Sequence, residues 1–322
     1  MPFYHTNLNI SIADIVSICN LKNTNLDDKM KLGSFVRPNV ADFDDLTFFS
    51  SKKYSSASNA KYIVTSNMLS SYTDDKQINL ISQNLETDIA KISNLFYRLK
   101  TKSEILKLDK TIVGNNSNIS KDSIIDKDVS IGDNFSIDHF SSIDHSCSIG
   151  NNVNIGKNVS ISNAIIGDNV SIGDGSKIGQ TGFGFSYDTE NIPVKIFHIG
   201  RVIIQNDVHI STSCTIDRGS FNDTIIGERT YIDNLVHIAH NVVIGTNCVI
   251  AGQCGFAGSA NIGNFVQIGG QTGIGGHIVI SDYVKIAAKS GIIRDIAKGE
   301  TVMGYPAVSI NKYLKNYKKL MM

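Results

Sequence analysis

The chain has no charge excess, no long apolar run and no paired set of cysteines. Its 322 residues carry 30 basic and 30 acidic side chains, for a formal net charge of zero. That balance argues against a dedicated nucleic-acid binder, which needs a basic face to displace counterions from phosphate. No stretch reaches about 18 uninterrupted apolar residues, so no membrane span is expected. The first residues show neither an early Lys or Arg nor a compact apolar run, so no secretory leader is expected. Five cysteines at irregular spacing, with no CxxC pair, make neither a disulfide framework nor a zinc site. They suit a reducing cytoplasm.

What the chain does have is a period. From Val113 an aliphatic residue recurs every six positions through Ile161, slips by one, and resumes at Ile166, Ile172 and Ile178. It returns at Ile204, Ile210 and Ile216, then runs unbroken from Ile226 to Ile292, with Phe256 as the single aromatic member. Neither the strand period nor the helix period explains a strict six. A triangular solenoid does: each hexad makes a short strand and a corner, and three hexads, 18 residues, complete a coil. Coils then stack like neighbouring strands, roughly 4.8 Å apart.

The recurring aliphatic points inward, and so does the residue two before it, often Val as at Val129, Val153, Val170 and Val242. Glycines after the aliphatic, such as Gly132, Gly150, Gly179 and Gly245, are expected to serve tight corners. Two interruptions break the period: residues 180–198, and a four-residue insertion between Ile216 and Ile226. Loops thrown out of a solenoid corner often carry function.

The flanks differ. Residues 1–110 lack the period and are expected to form a small α/β domain. Ser11 and Asp14 cap a helix there, the segments 46–49 and 62–64 are strands, and 88–107 is a helix leading into the solenoid. Residues 111–306 form the β-helix. Residues 307–322 form a short C-terminal helix made basic by Lys312, Lys315, Lys318 and Lys319. The fold class is therefore mainly β.

Solenoid phase sorts the reactive side chains. Cys147, Cys214, Cys248 and Cys254 fall two before an inward aliphatic, and are expected to be buried core fillers rather than nucleophiles. His240 falls two after Ile238, pointing away from the core. Gly258 has the same phase 18 residues later, one coil beyond. An imidazole base beside an unobstructed backbone N–H is the minimal kit for acyl transfer. His139 and His145 share the hexad phase of His240 and are the controls. His277 falls two coils and one residue beyond His240, on a nearby edge.

The string His237-Ile238-Ala239-His240-Asn241-Val242-Val243-Ile244-Gly245 resembles the catalytic coil of the UDP-3-O-acylglucosamine N-acyltransferase family. So do Gly182-Phe183-Gly184-Phe185, Thr215-Ile216-Asp217-Arg218-Gly219, Thr224-Ile225-Ile226-Gly227, Ile232-Asp233-Asn234 and Gly304-Tyr305-Pro306, in order and spacing along nearly the whole chain. The resemblance implies a left-handed β-helix and transfer of a 3-hydroxyacyl chain from acyl carrier protein to the 2-amino group of UDP-3-O-(3-hydroxyacyl)glucosamine, in lipid A synthesis. The chain would arrive on the carrier's phosphopantetheine, with no permanently bound cofactor and no metal.

The resemblance further implies that His240 is the general base, the Gly258 N–H the oxyanion donor and His277 a second active-site histidine. Phe48, Ser51 and Tyr54 would hold the uracil, with Ser51 standing where the family has Asn. Asp233 and Asn234 would contact substrate. Arg294, Lys312 and Lys315 would meet the acidic carrier. A homotrimer in the cytoplasm of a Gram-negative bacterium is implied as well. The alternatives are a UDP-N-acetylglucosamine O-acyltransferase, an acetyl-CoA-dependent hexapeptide acetyltransferase or, from another class, a structural β-solenoid.

Overall fold

The computed structural model describes residues 3–21, 30–52 and 58–321. They divide into two compact units, Met1–Lys100 with Gly184–Ile199, and Thr101–Phe183 with Gly200–Met322.

The first unit is α/β. Strand β1 (Tyr4–Thr6) precedes helix α1 (Ile12–Cys19). Ser11 Oγ accepts from the Asp14 N–H at 3.3 Å, and Asp14 Oδ2 accepts from the Ser11 N–H at 2.8 Å, closing the reciprocal cap. Strands β2 (Leu46–Phe49), β3 (Tyr62–Ser66) and β4 (Ile78–Ser82) then form a parallel sheet with β3 in the middle. Helix α2 (Leu85–Phe96) runs straight into strand β5 (Tyr97–Leu99), which pairs antiparallel with β1.

A single helix over 88–107 is therefore not formed. Its middle is taken by β5, where Tyr97 is buried and its hydroxyl donates to the Phe35 carbonyl at 2.8 Å. A short helix α3 (Lys102–Ile105) follows. Residues 180–198 are expected as a solenoid loop, but from Gly184 to Ile199 the chain belongs to this α/β unit. There it forms a hairpin (Phe185–Tyr187 with Pro193–Lys195). It is held by α2: Thr87 Oγ1 donates to the Tyr187 carbonyl at 2.7 Å, and Asn94 Nδ2 to the Lys195 carbonyl at 2.6 Å.

The second unit is a left-handed parallel β-helix with three walls. One wall has nine strands from Ile112–Val113 to Val279–Ile280. A second starts at Asn118–Ile119 and ends in the antiparallel pair Thr301–Met303 and Val308–Ser309. The third has nine strands, from Ile124–Ile125 to Gly291–Ile292, and carries the site. Register is strict along each wall: Ile143 pairs with Ile161, and Ile216 with Ile238. From Ile131 onward these isoleucines are buried, as are Cys147, Cys214, Cys248 and Cys254. Burial drives the Cys147 thiol up to about 12 and raises the other three as well. These thiols are core, not nucleophiles.

The corners differ from expectation. The left-handed conformation falls three residues before the inward aliphatic, and asparagine fills it repeatedly: Asn116, Asn134, Asn152 and Asn169 all have φ between 55° and 58°. Asparagine tolerates this region and hydrogen-bonds locally; Asn134 Nδ2 donates to Asn152 Oδ1 at 2.9 Å on the next coil. Of the glycines after the aliphatics, Gly179 is the one with positive φ, at a bulge. The others are needed for close stacking: a Cβ on Gly132 would lie 2.8 Å from the Gly150 carbonyl carbon of the next coil.

Helix α4 (Ile310–Met321) closes the chain, so the basic helix starts at Ile310 and not at 307, where the backbone is still turning into the strand Val308–Ser309. Its lysines Lys312 and Lys315 are exposed, as is Arg294. No helix among the described residues is long and apolar enough to cross a membrane.

Candidate functional site

A groove of about 680 Å³ runs along the third wall, between Phe183 and Tyr305, and His240 and Gly258 both line it. Gly258 is where the solenoid leaves room for the imidazole. A Cβ there would sit 2.8 Å from both Cε1 and Nε2 of His240, so no side chain fits without moving the ring. The Gly258 carbonyl accepts from the His277 N–H at 3.1 Å. The Gly258 N–H makes no protein hydrogen bond among the described residues, which leaves a donor beside the base.

The neighbouring residue fixes the imidazole's proton. Asn241 Oδ1 accepts from the Ser220 N–H at 3.1 Å and from Ser220 Oγ at 2.7 Å. Asn241 Nδ2 donates to the Asn222 carbonyl at 3.0 Å. A backbone N–H on one side and a carbonyl on the other admit one orientation of the amide. His240 Nδ1 lies 2.9 Å from that same Oδ1, so it meets an acceptor and must carry the proton. In the neutral ring Nε2 is then the basic nitrogen. The four-residue insertion supplies Ser220 and Asn222, the groups that hold the Asn241 amide.

A second imidazole lines the groove. His237 Nδ1 lies 2.7 Å from Thr215 Oγ1, and its Nε2 is 4.0 Å from Asp217 Oδ2. Asp217 is buried, and burial raises its carboxyl pKa, opposed by a 3.0 Å hydrogen bond from Gln180 Nε2 and by His237 and His240. Neither His237 nor Asn241 was singled out from hexad phase. The string around His240 contained both, but phase says nothing about which side chains meet across coils.

The other expected site residues are placed as follows. His277 is exposed, in a left-handed corner (φ 59°), two coils beyond Asn241, which has φ 62°. It does not line the groove with His240. Asp233 and Asn234 stand beside a second opening of about 510 Å³. Their polar atoms already tie coils together: Asp233 Oδ2 accepts from the Gly252 N–H at 3.0 Å, and Asn234 Oδ1 from the Thr212 N–H at 3.0 Å. Phe48, near the carboxyl end of β2, is half-buried with its ring 5.4 Å from Phe35. Ser51 follows that strand, with Lys52 over the Tyr72 ring at 4.0 Å. Tyr54 lies outside the described residues. No group of three metal-ligating side chains occurs among the described residues.

His139 and His145 share the hexad phase of His240, but of the two His145 alone shares its wall. His145 follows a strand of the same wall as His240, whereas His139 follows the second wall. His139 Nδ1 is 3.1 Å from Asp122 Oδ2, away from the groove.

Comparison with known proteins places this geometry. The family described as bacterial transferase hexapeptide (six repeats) matches residues 128–163, 146–180 and 223–258. The UDP-3-O-acylglucosamine N-acyltransferase of Sinorhizobium medicae (strain WSM419) is 59% identical over 138 residues, and that of Rhizobium meliloti (strain 1021) 46% over 138 residues. Each alignment covers 43% of this chain and 39% of the relative's length. Among solved structures, the UDP-N-acetylglucosamine O-acyltransferase of Moraxella catarrhalis RH4 is 29% identical with a TM-score of 0.50, covering 63% of this chain and 76% of that one. The UDP-N-acetylglucosamine acyltransferase of Campylobacter jejuni is 25% identical with a TM-score of 0.54, covering 60% and 73%.

Repeat and fold together define the class, a left-handed β-helix built of hexapeptide repeats. Within it, the chain is similar over 138 residues to proteins named UDP-3-O-acylglucosamine N-acyltransferase, and spans 39% of their length.

Proposed function

We propose that this chain transfers a 3-hydroxyacyl group from acyl carrier protein to the 2-amino group of UDP-3-O-(3-hydroxyacyl)glucosamine. The observation that carries the reading is the pairing of an imidazole whose proton is pinned on Nδ1 with a spare glycine N–H one coil beyond. The amine attacks the thioester carbonyl as His240 Nε2 takes one of its protons. The oxyanion forms against the Gly258 N–H. Collapse breaks the C–S bond, and the proton on Nε2 passes to the leaving thiolate. The amine is itself a competent nucleophile, so no acyl-enzyme is required.

Around that centre, we assign Phe48 and Ser51, with Tyr54, to the uracil, and Asp233 and Asn234 to the sugar. His277 would stabilise the active-site corner from the exposed side. Arg294, Lys312 and Lys315 offer exposed positive charge for the acidic carrier. A homotrimer working in the cytoplasm completes the reading. The O-acyltransferase alternative draws support from the solved structures, whereas the curated relatives at 46% and 59% identity are named N-acyltransferases.

The deciding experiment is mass spectrometry of products from UDP-3-O-acylglucosamine and UDP-N-acetylglucosamine, each with acyl carrier thioesters and acetyl-CoA. The amide product from the carrier thioester alone is expected. An ester product, or acetylation, selects an alternative. For the nucleotide site, Phe48→Ala should raise the KM for the UDP-sugar about 5- to 150-fold, the worth of one base stack. Turnover at saturation should hold, because such contacts bind ground and transition states alike. Equal increases in both substrates' KM would make Phe48 a core residue.

A further inference from the structure

A buried carboxylate stands beside the base. Asp217 is 4% exposed, although it follows the inward Ile216 and so lies on the outward side of the third wall. Ile216 pairs with Ile238, which sets Asp217 beside Ala239, the residue before His240. Ala239 brings only a methyl group to that place. One coil earlier the register shifts between Ile178 and Gln180. The shift needs Gly179: its φ is 82°, and a Cβ there would lie 1.6 Å from the Ser162 carbonyl oxygen. Such a bulge re-aims a neighbouring side chain. Here it sets Gln180 opposite Asp217, and Gln180 Nε2 donates to Asp217 Oδ1 at 3.0 Å.

That bond holds one oxygen and leaves the other. Asp217 Oδ2 accepts no hydrogen bond among the described residues; its ion-pair partner is His237 Nε2 at 4.0 Å, too far for a hydrogen bond. Burial raises the carboxyl pKa, and the Gln180 bond, His237, His240 and Arg218 oppose it in that order, so the carboxylate feels both groove imidazoles. The other charges nearby are directed elsewhere. Lys177 Nζ donates to the Asn158 carbonyl at 2.6 Å, and Arg218 to Asn163 Oδ1 at 3.2 Å and the Gly179 carbonyl at 3.1 Å. Lys289 lines the groove three coils beyond His237, and Asp144 lies three coils before Asp217. A buried carboxylate without a full set of donors is costly. An asparagine would tie the same two coils through the Gln180 bond, so the tie does not explain the charge. What a carboxylate adds is a fixed negative charge beside a base that turns cationic as it works.

We propose that Asp217 is a positioning residue for the reaction: held by Gln180 at the Gly179 bulge, its carboxylate stabilises the imidazolium that forms on His240, and His237 shares that negative charge. The proposal rests on the acyl-transfer reading, but its first readout does not use turnover. Diethyl pyrocarbonate acylates an imidazole at its unprotonated nitrogen. Its rate at His240, followed across pH by peptide mass spectrometry, therefore gives the midpoint of that ring's titration. A negative charge nearby favours the imidazolium, and removing it favours the neutral ring. Asp217→Asn, which keeps an oxygen for Gln180, should lower the midpoint by about one unit. The acid limb of kcat/KM should move down with it, kcat should fall about three- to tenfold, and both KM values should hold. A merely structural Asp217 would change the melting temperature and leave the midpoint alone. His237→Gln, at a half-exposed position, should raise the midpoint, because a second cation no longer repels the first. A midpoint unmoved in every variant that folds, or lowered in His237→Gln, overturns the proposal. If the midpoint moves as expected but no acyl group is transferred, the charge pairing stands and the activity reading falls; transfer with an unmoved midpoint does the reverse.

Discussion

Two coils of the same wall carry a histidine two residues after the inward isoleucine, His145 after Ile143 and His240 after Ile238. Phase makes them equivalent; their surroundings do not. His145 Nδ1 has a long 3.3 Å contact to Ser146 Oγ, whose proton goes to Asp128 Oδ2 at 2.8 Å. The next coil is one residue short there, and Asn163 Oδ1 accepts from the buried Arg218 at 3.2 Å. His240 instead has a fixed amide beside it and a glycine one coil beyond. The outward column differs too: Ser142, Ser160 and Lys177 in the early coils, and Gly255 and Gly273 in the late ones. A solenoid repeats its backbone faithfully, so a site is made by what each repeat leaves out as much as by what it adds.

The comparison breaks hardest at His240. His240→Ala should cost about 10²–10⁴-fold in turnover, the usual loss with a general base, while the melting curve stays that of the wild type. Near-normal turnover in the folded variant would remove the base assignment. Gly258→Ala tests the same pair from the other side. Its Cβ would push on the ring from 2.8 Å, and a displacement near 1 Å costs on the order of 10²-fold. The loss should fall on kcat with the KM values nearly constant. Full activity would show that the imidazole has another resting place.

Asn241→Asp sharpens the electrostatics. One carboxylate oxygen keeps the contacts to Ser220 and His240, while the other faces the Asn222 carbonyl that now receives the amide donor. A negative charge beside the ring favours the imidazolium. The base is then protonated to higher pH, so the acid limb of the kcat/KM profile should move up by about one unit or more. The same carboxylate should lower thermal stability by the cost of an unpaired carbonyl, about 1–3 kcal/mol. An unshifted profile would mean that Asn241 does not touch the working imidazole.

The solenoid was legible because its period is written by burial: every inward isoleucine from Ile131 on is removed from water, and the four solenoid cysteines follow the same rule. His240 and Gly258 were legible because one coil equals 18 residues wherever no residue is gained or lost. Asn241's partners were not, because Ser220 and Asn222 reach it through an insertion that breaks that count. Residues 180–198 look like a solenoid loop in the sequence; the hairpin within them is held to α2 by hydrogen bonds that cross about 100 positions, which no local pattern records. The helix expected over 88–107 failed for the same reason, since the partner that turns 97–99 into a strand is β1.

The smallest expected effect is the strictest test of the comparison. His145→Ala removes an imidazole from the same wall and the same phase as His240, and His139→Ala removes one from another corner. If phase alone made a catalytic histidine, His145→Ala would lower turnover appreciably. If the fixed amide and the following glycine make it, both variants should keep kcat and both KM values within about twofold, a change under roughly 0.5 kcal/mol and typical of surface substitutions. His139→Ala also loses the contact to Asp122, an exposed pair whose removal should move the melting temperature very little. A tenfold loss in His145→Ala with the fold intact would place a working group four coils from His240. The division between early and late coils would then have to be redrawn.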